Sequence, residues 1–86
     1  MVNDKSVDSY HELLESGTIS KRQAQVYEAI MTLEKCTNRQ IAKALSWDIN
    51  RVTGRVTELR EKHVVIYAGD YKDSETNRTV NLWKIK

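Results

Sequence analysis

The chain has no proline, one cysteine, three glycines and no long apolar run. Each scarcity removes a class of protein. With Cys36 alone, no disulfide can close within the 86 residues, and CxxC redox chemistry and cysteine-rich zinc sites are excluded. The residue reads as a small buried hydrophobe. The N-terminus has no apolar h-region, and no stretch approaches the ~18 apolar residues of a spanning helix. The expectation is a cytoplasmic protein with no membrane partner, in which the sequon Asn77-Arg78-Thr79 is coincidental. Three glycines build no phosphate-cradling loop. His11 and His63 are far apart in the chain, and His11-Glu12 is not continued into a zinc-protease HExxH because position 15 is Glu. These gaps argue against an enzyme, and no metal, cofactor or small-molecule ligand is expected.

Length allows one small domain, of a size that buries only roughly 60% of the surface its unfolded chain exposes. Net charge is +2, but its distribution is uneven. Residues 1–17 carry Asp4, Asp8, Glu12 and Glu15 against Lys5, a balance of −3. Residues 18–86 carry thirteen basic and eight acidic side chains, a balance of +5. An acidic leader on a basic body lets one face meet phosphate while another repels it.

Residues 1–19 read as this leader with a first helix over about 6–16. Ser6 is its cap, Val7, Tyr10 and Leu14 recur on one face, and Gly17 suits the position after the last turn. Three further helix starts follow the same grammar. Ser20 with Gln23 forms a capping box with Ile19 as staple, opening a helix over 20–33 whose apolar arc is wide enough for two neighbours. Glu34-Lys35-Cys36 is a connector with room for a bridge residue or two of strand. Thr37 with Gln40, stapled by Cys36 on Ile41, opens a short helix over 38–45. Asp48, with Trp47 packing on Val52, opens a longer one over 49–62. At about 100° per residue, Ile49, Val52, Val56, Leu59 and His63 fall on one side of it. Opposite lie Asn50, Arg51, Gly54, Thr57, Glu58 and Glu61. Two capped helices joined by a short turn at Ser46-Trp47 make a helix-turn-helix. A β-rich run at 64–68, a break at Gly69-Asp70, a polar tip and a second run at 79–85 then read as a long-tipped hairpin. The fold class is mainly α with a small β-hairpin (α+β).

These parts in this order resemble a winged helix-turn-helix domain of the MarR-like sort over residues 20–86, with an extra N-terminal helix. The resemblance rests on Thr37-Asn38-Arg39-Gln40-Ile41-Ala42, on Leu45-Ser46-Trp47, and on Asn50-Arg51-Val52-Thr53 with Leu59-Arg60-Glu61-Lys62-His63-Val64-Val65 leading into the wing. The short length and the leader DSYHELLESGTISKRQAQVYEAI also resemble small bacteriophage-encoded winged-helix proteins. Two departures stand out: the glycines usual in the turn and before the first wing strand are Ser46 and His63, at positions that normally take a left-handed backbone.

The resemblance implies double-stranded DNA as partner, with the second motif helix in the major groove and the wing alongside. Asn50 and Arg51, in that helix's first turn, are the side chains suited to bidentate base contact. Thr53 and Arg55 flank the face, with Thr57 further along it. Thr37, Asn38 and Arg39 open the helix that crosses the backbone, and Lys72, Asn77 and Arg78 load the wing tip. Gly54 sits mid-face, where an interior helix glycine costs roughly 1 kcal/mol against alanine; its functional reading is close approach of the helix backbone to a DNA strand. Glu58 and Glu61 would repel phosphate and restrict deep engagement to the first two turns.

MarR-type regulators dimerise through extra helices at both ends, whereas this chain stops one residue after Ile85. The expectation is therefore a weakly selective, phosphate-driven DNA binder that self-associates along DNA. The alternatives are a sequence-specific transcriptional regulator that dimerises through its first helix, and a protein-binding winged helix anchored by exposed Trp83, Tyr71 or Tyr67.

Overall fold

In a computed structural model of the chain, residues 12–86 are described. They form three helices followed by a hairpin: α1 (Lys21–Leu33), α2 (Asn38–Leu45), α3 (Ile49–Glu61), β1 (Val65–Asp73) and β2 (Arg78–Ile85). Helical residues 12–15 precede them. The expected cap and first apolar positions of the leader helix, Ser6, Val7 and Tyr10, lie outside the described residues.

Local side-chain chemistry starts each helix. Ser20 accepts from the Gln23 amide at 3.2 Å, and the Gln23 Oε1 accepts from the Ser20 amide at 3.0 Å. Thr37 and Gln40 repeat the exchange at 3.2 and 2.9 Å. Asp48 Oδ1 accepts from the Asn50 amide at 2.9 Å. Such caps contribute about 1 kcal/mol each by satisfying amides that the helix leaves open. The apolar residue before each box, Ile19 or Cys36, is buried in the core.

Three of the helix ends share one closure. After residues 12–15, Thr18 N donates to Leu13 O and Gly17 N to Leu14 O. After α2, Trp47 N donates to Ala42 O and Ser46 N to Lys43 O. After α3, Val64 N donates to Leu59 O and His63 N to Arg60 O. This is the same Schellman closure three times, and each turns on one residue in the left-handed region: Gly17 (φ 76), Ser46 (φ 58) and His63 (φ 62). Only the first is a glycine. The two departures recognised in the sequence thus do hold the left-handed backbone.

α1 ends differently. Glu34 has φ 70 and ψ −62, and Lys35 N reaches back to Leu33 O at 2.8 Å. That is a γ-turn of the rarer, strained hand. It redirects the chain at once into Cys36, which bridges the wing: its amide donates to Trp83 O at 3.0 Å, and Trp83 N donates to Cys36 O at 2.7 Å. Burial pushes the Cys36 thiol up to about 11, so it stays protonated and packs as a hydrophobe.

The core is Ala24, Val26, Tyr27, Ala29 and Ile30 of α1, Ile41 and Ala42 of α2, Val52, Val56 and Leu59 of α3, and Val65 and Trp83 of the hairpin, with Ile19 and Cys36. The wide arc of α1 is used as expected, since that helix packs on α2, α3 and β2. Ile49 departs from its expected side: it is 39% exposed. At the first position of α3 it opens toward the hairpin, beyond the reach of the buried Val52-Val56-Leu59 stripe. His63 is exposed as well, because its left-handed backbone takes it off the helix.

The hairpin is longer and tighter-tipped than its sequence reads. β1 and β2 pair antiparallel from Val65↔Ile85 to Asp73↔Arg78. The expected break at Gly69-Asp70 is a β-bulge: the register shifts between Tyr67 and Gly69, Gly69 adopts φ 120, and pairing resumes. The tip therefore shrinks to residues 74–77. Asp73 organises it, its Oδ1 accepting from the Glu75 amide at 2.8 Å and its carbonyl from the Asn77 amide at 2.7 Å.

Candidate nucleic-acid interface

The outward face of α3 presents Asn50, Arg51, Thr53 and Thr57 to solvent, with Gly54 half-exposed between them. The protein approaches Gly54 nowhere on this side: a Cβ built on it would meet nothing within 4 Å. Two hydroxyl protons on the face are already spent. Thr53 Oγ1 donates to Ile49 O and Thr57 Oγ1 to Thr53 O, both at 2.9 Å. Among the described residues, the side chains of Asn50 and Arg51 make no hydrogen bond or ion pair.

The guanidinium of Arg51 lies 5.0 Å from the centre of the Trp47 ring. Arg22, from the first turn of α1, lies 5.9 Å from the same ring. Sequence reasoning passed over Arg22 because nothing local shows that the start of α1 folds beside the start of α3.

Several residues expected to face DNA are occupied elsewhere. Thr37 is 3% exposed and its hydroxyl serves the α2 cap. Asn38 is half-buried, its Oδ1 accepting from Trp83 Nε1 at 2.8 Å and its amide nitrogen reaching Thr53 Oγ1 at 3.4 Å. Arg39 turns to the wing, with Nε on Asp73 Oδ2 at 2.9 Å and Nη1 on Glu75 Oε2 at 3.5 Å. Lys43, one turn on, also pairs with Glu75. Arg55 is half-buried and pairs with Glu58 at 2.8 Å, and its buried Nε has no hydrogen-bond partner among the described residues.

Glu58 itself corrects the sequence picture. It turns from the outward face toward α1, accepting from Gln23 Nε2 at 2.7 Å. That hydrogen bond and the Arg55 guanidinium hold its carboxyl below its ordinary range, so it stays ionised beside Arg55. Glu61 stays exposed in the last turn.

On the wing, Lys72 is a strand residue paired with Thr79, and Arg78 opens β2 opposite Asp73. Of the three expected at the tip, only Asn77 sits there, with φ 60. Between this strand and the starts of α2 and α3 runs an open groove of about 410 Å³, lined among others by Asn38, Arg39, Ile49, Arg78, Asn81 and Trp83. Trp83, expected as an exposed anchor, is buried, whereas Tyr67 and Tyr71 are exposed. Among the described residues no helix is long and apolar enough to cross a membrane.

No family model and no curated protein sequence matches the chain. Solved structures do match. The multiple antibiotic resistance repressor MarR superposes with a TM-score of 0.68 at 26% identity, covering 100% of this chain and 59% of MarR. A possible transcriptional regulator from Methanosarcina mazei Go1 gives 0.64 at 15% identity, covering 96% of this chain and 64% of its own. The adhesin competence repressor AdcR from Streptococcus pyogenes gives 0.57 at 20%, covering 96% and 58%. The chain thus spans less than two thirds of each of these proteins. With its helix-turn-helix, its left-handed turn at Ser46 and its two-stranded wing, the chain is a winged helix-turn-helix domain of MarR-like architecture.

Proposed function

We propose that this domain binds double-stranded DNA with the outward face of α3 in the major groove and the wing alongside, holding the duplex mainly through its phosphates and reading few bases. The observation carrying this reading is the composition of the α3 face. Among the described residues no partner takes the side-chain donors of Asn50 and Arg51, the Thr53 and Thr57 protons are bonded within the helix, and Gly54 leaves an open saddle. A face with two base-reading side chains supports little discrimination, since each good bidentate pair contributes only about 1–3 kcal/mol. Phosphate neutralisation supplies sequence-independent affinity. The turning of Glu58 away from this face supports closer seating than the sequence alone allowed.

A second reading is a sequence-specific transcriptional regulator acting as a dimer. It is favoured by the solved structures, two of which are repressors.

Binding to several unrelated duplexes across a salt series tests both. Similar affinities with a steep salt slope support the first reading, and one duplex bound thousands-fold tighter supports the second. Gly54→Leu tests the saddle: it is expected to weaken binding at least tenfold without lowering the urea midpoint, since the new side chain has open space in the free protein. Unchanged affinity would remove close approach from the reading.

A further inference from the structure

The cluster at Trp47 is not explained by the core or by the α3 face. Trp47 is half-buried in the turn between α2 and α3, and two guanidiniums share its ring, Arg22 from α1 and Arg51 from α3. Both arginines are exposed, and neither has a carboxylate partner among the described residues. Arg60 also lies over a tryptophan ring, that of Trp83, at 4.5 Å, but among the described residues Trp47 is the ring that two guanidiniums share. Arg39, Lys43 and Arg55 all pair with acids, on the wing or on α3 itself. The carboxylate next to the ring in sequence, Asp48, caps α3 through the Asn50 amide.

Each exposed guanidinium gains a modest attraction from the ring, and two positive charges held on one ring concentrate a field that favours an anion. A guanidinium held near a ring by its charge spends none of its N–H donors on a carboxylate, and all five stay available to another partner. Those donors match the oxygens of a phosphodiester, which arginine engages in a fork. The ring also fixes where they stand, at the N-terminal end of the α3 reading face and on its α1 side.

We propose that Arg22 and Arg51, carried on Trp47, form a clamp for the sugar-phosphate strand bordering the groove that α3 enters. The clamp rests on the DNA-binding reading above and adds a third element to it, because Arg22 belongs to α1 and lies outside the helix-turn-helix. Arg51 then has two roles on one side chain, its neighbourhood with Asn50 placing it near the base edges and its place over the Trp47 ring setting it near the backbone. Arg22 has only the second. A charge that meets phosphate alone affects all sequences equally.

The full chain and its Arg22→Ala and Arg22→Lys variants are titrated onto three unrelated labelled duplexes across a salt series, with urea midpoints measured in parallel. Arg22→Ala is expected to weaken binding several-fold on every duplex and to reduce the slope of log K against log salt by about 0.9. Arg22→Lys keeps the charge and is expected to keep the slope while losing part of the affinity, because lysine offers no planar fork. The urea midpoint is expected to stay at the wild-type value. The clamp is overturned if Arg22→Ala retains both affinity and slope. It is equally overturned if the loss at Arg22 is confined to one duplex. Failure of the wild-type chain to bind any duplex at low salt would instead overturn the DNA-binding reading, and the clamp with it.

Discussion

The indole Nε1 of Trp83 donates to Oδ1 of Asn38 at 2.8 Å. A residue that read as a surface anchor and one that read as a backbone contact for DNA are therefore bonded to each other, across 45 positions of sequence. The bond fastens the wing to the first helix of the motif beside the Cys36–Trp83 bridge. A two-stranded hairpin is marginal alone, and these fastenings, with the burial of Val65 and Trp83, hold it against the helices.

Asn38→Ala should cost about 1–3 kcal/mol, because it leaves the buried indole N–H without an acceptor. Asn38→Asp, which keeps an oxygen in place, should cost less. Urea unfolding measures both. A loss below about 0.5 kcal/mol for Asn38→Ala, the low end for a net hydrogen bond, would mean that water replaces the amide and that the wing is held by packing alone.

Ser46 and His63 occupy left-handed positions in two of the three Schellman closures. Non-glycine residues pay about 1–2 kcal/mol there, and glycine gives back part of the gain through the entropy of its unfolded chain. Ser46→Gly and His63→Gly should each stabilise the domain, on the order of 0.5–1 kcal/mol. Gly17→Ala, at the corresponding site after the first helical segment, should destabilise it. If either glycine variant lowers the urea midpoint, the side chain at that position contributes more than its backbone costs.

The Asp73 carboxyl is held below its ordinary value of 3.8, first by the Glu75 amide and then by the Arg39 guanidinium and the Thr76 amide. A depressed folded-state pKa means that ionisation favours the native state. The resulting stability is fully present above the ordinary value and is lost as pH falls through the folded one. Asp73→Asn should therefore melt below the wild type at neutral pH, and the gap should close as pH drops beneath about 3.8. Melting curves followed by circular dichroism across that range decide it. A gap that does not change with pH would assign the effect of Asp73 to packing at the wing tip.

The sequence carried the fold in its local signals. Ser20 with Gln23, Thr37 with Gln40, and Asp48 ahead of Asn50 place the helix starts. Gly17, Ser46 and His63 place three ends, because capping and Schellman bonds close within six residues and depend on little else. The wing was legible as a hairpin, but its length was not: a glycine next to an aspartate marks a turn in most contexts, and here pairing with β2 carried the strand through Gly69 as a bulge.

The face of α3 lay beyond local reading. Periodicity assigns a side of the helix and leaves open what each side chain meets. Ile49 was drawn outward at the groove beside the wing. Glu58 was turned toward α1 by Gln23, 35 positions away, and Arg39 was paired on the wing by Asp73, 34 positions away. The same long-range packing brought Arg22 onto the ring that Arg51 also uses. By itself, then, the sequence determined that this chain makes a winged helix-turn-helix, since those signals are short-range and repeated. Only the tertiary structure decided which charges are left for a partner, because that depends on which residues distant in the chain reach them first.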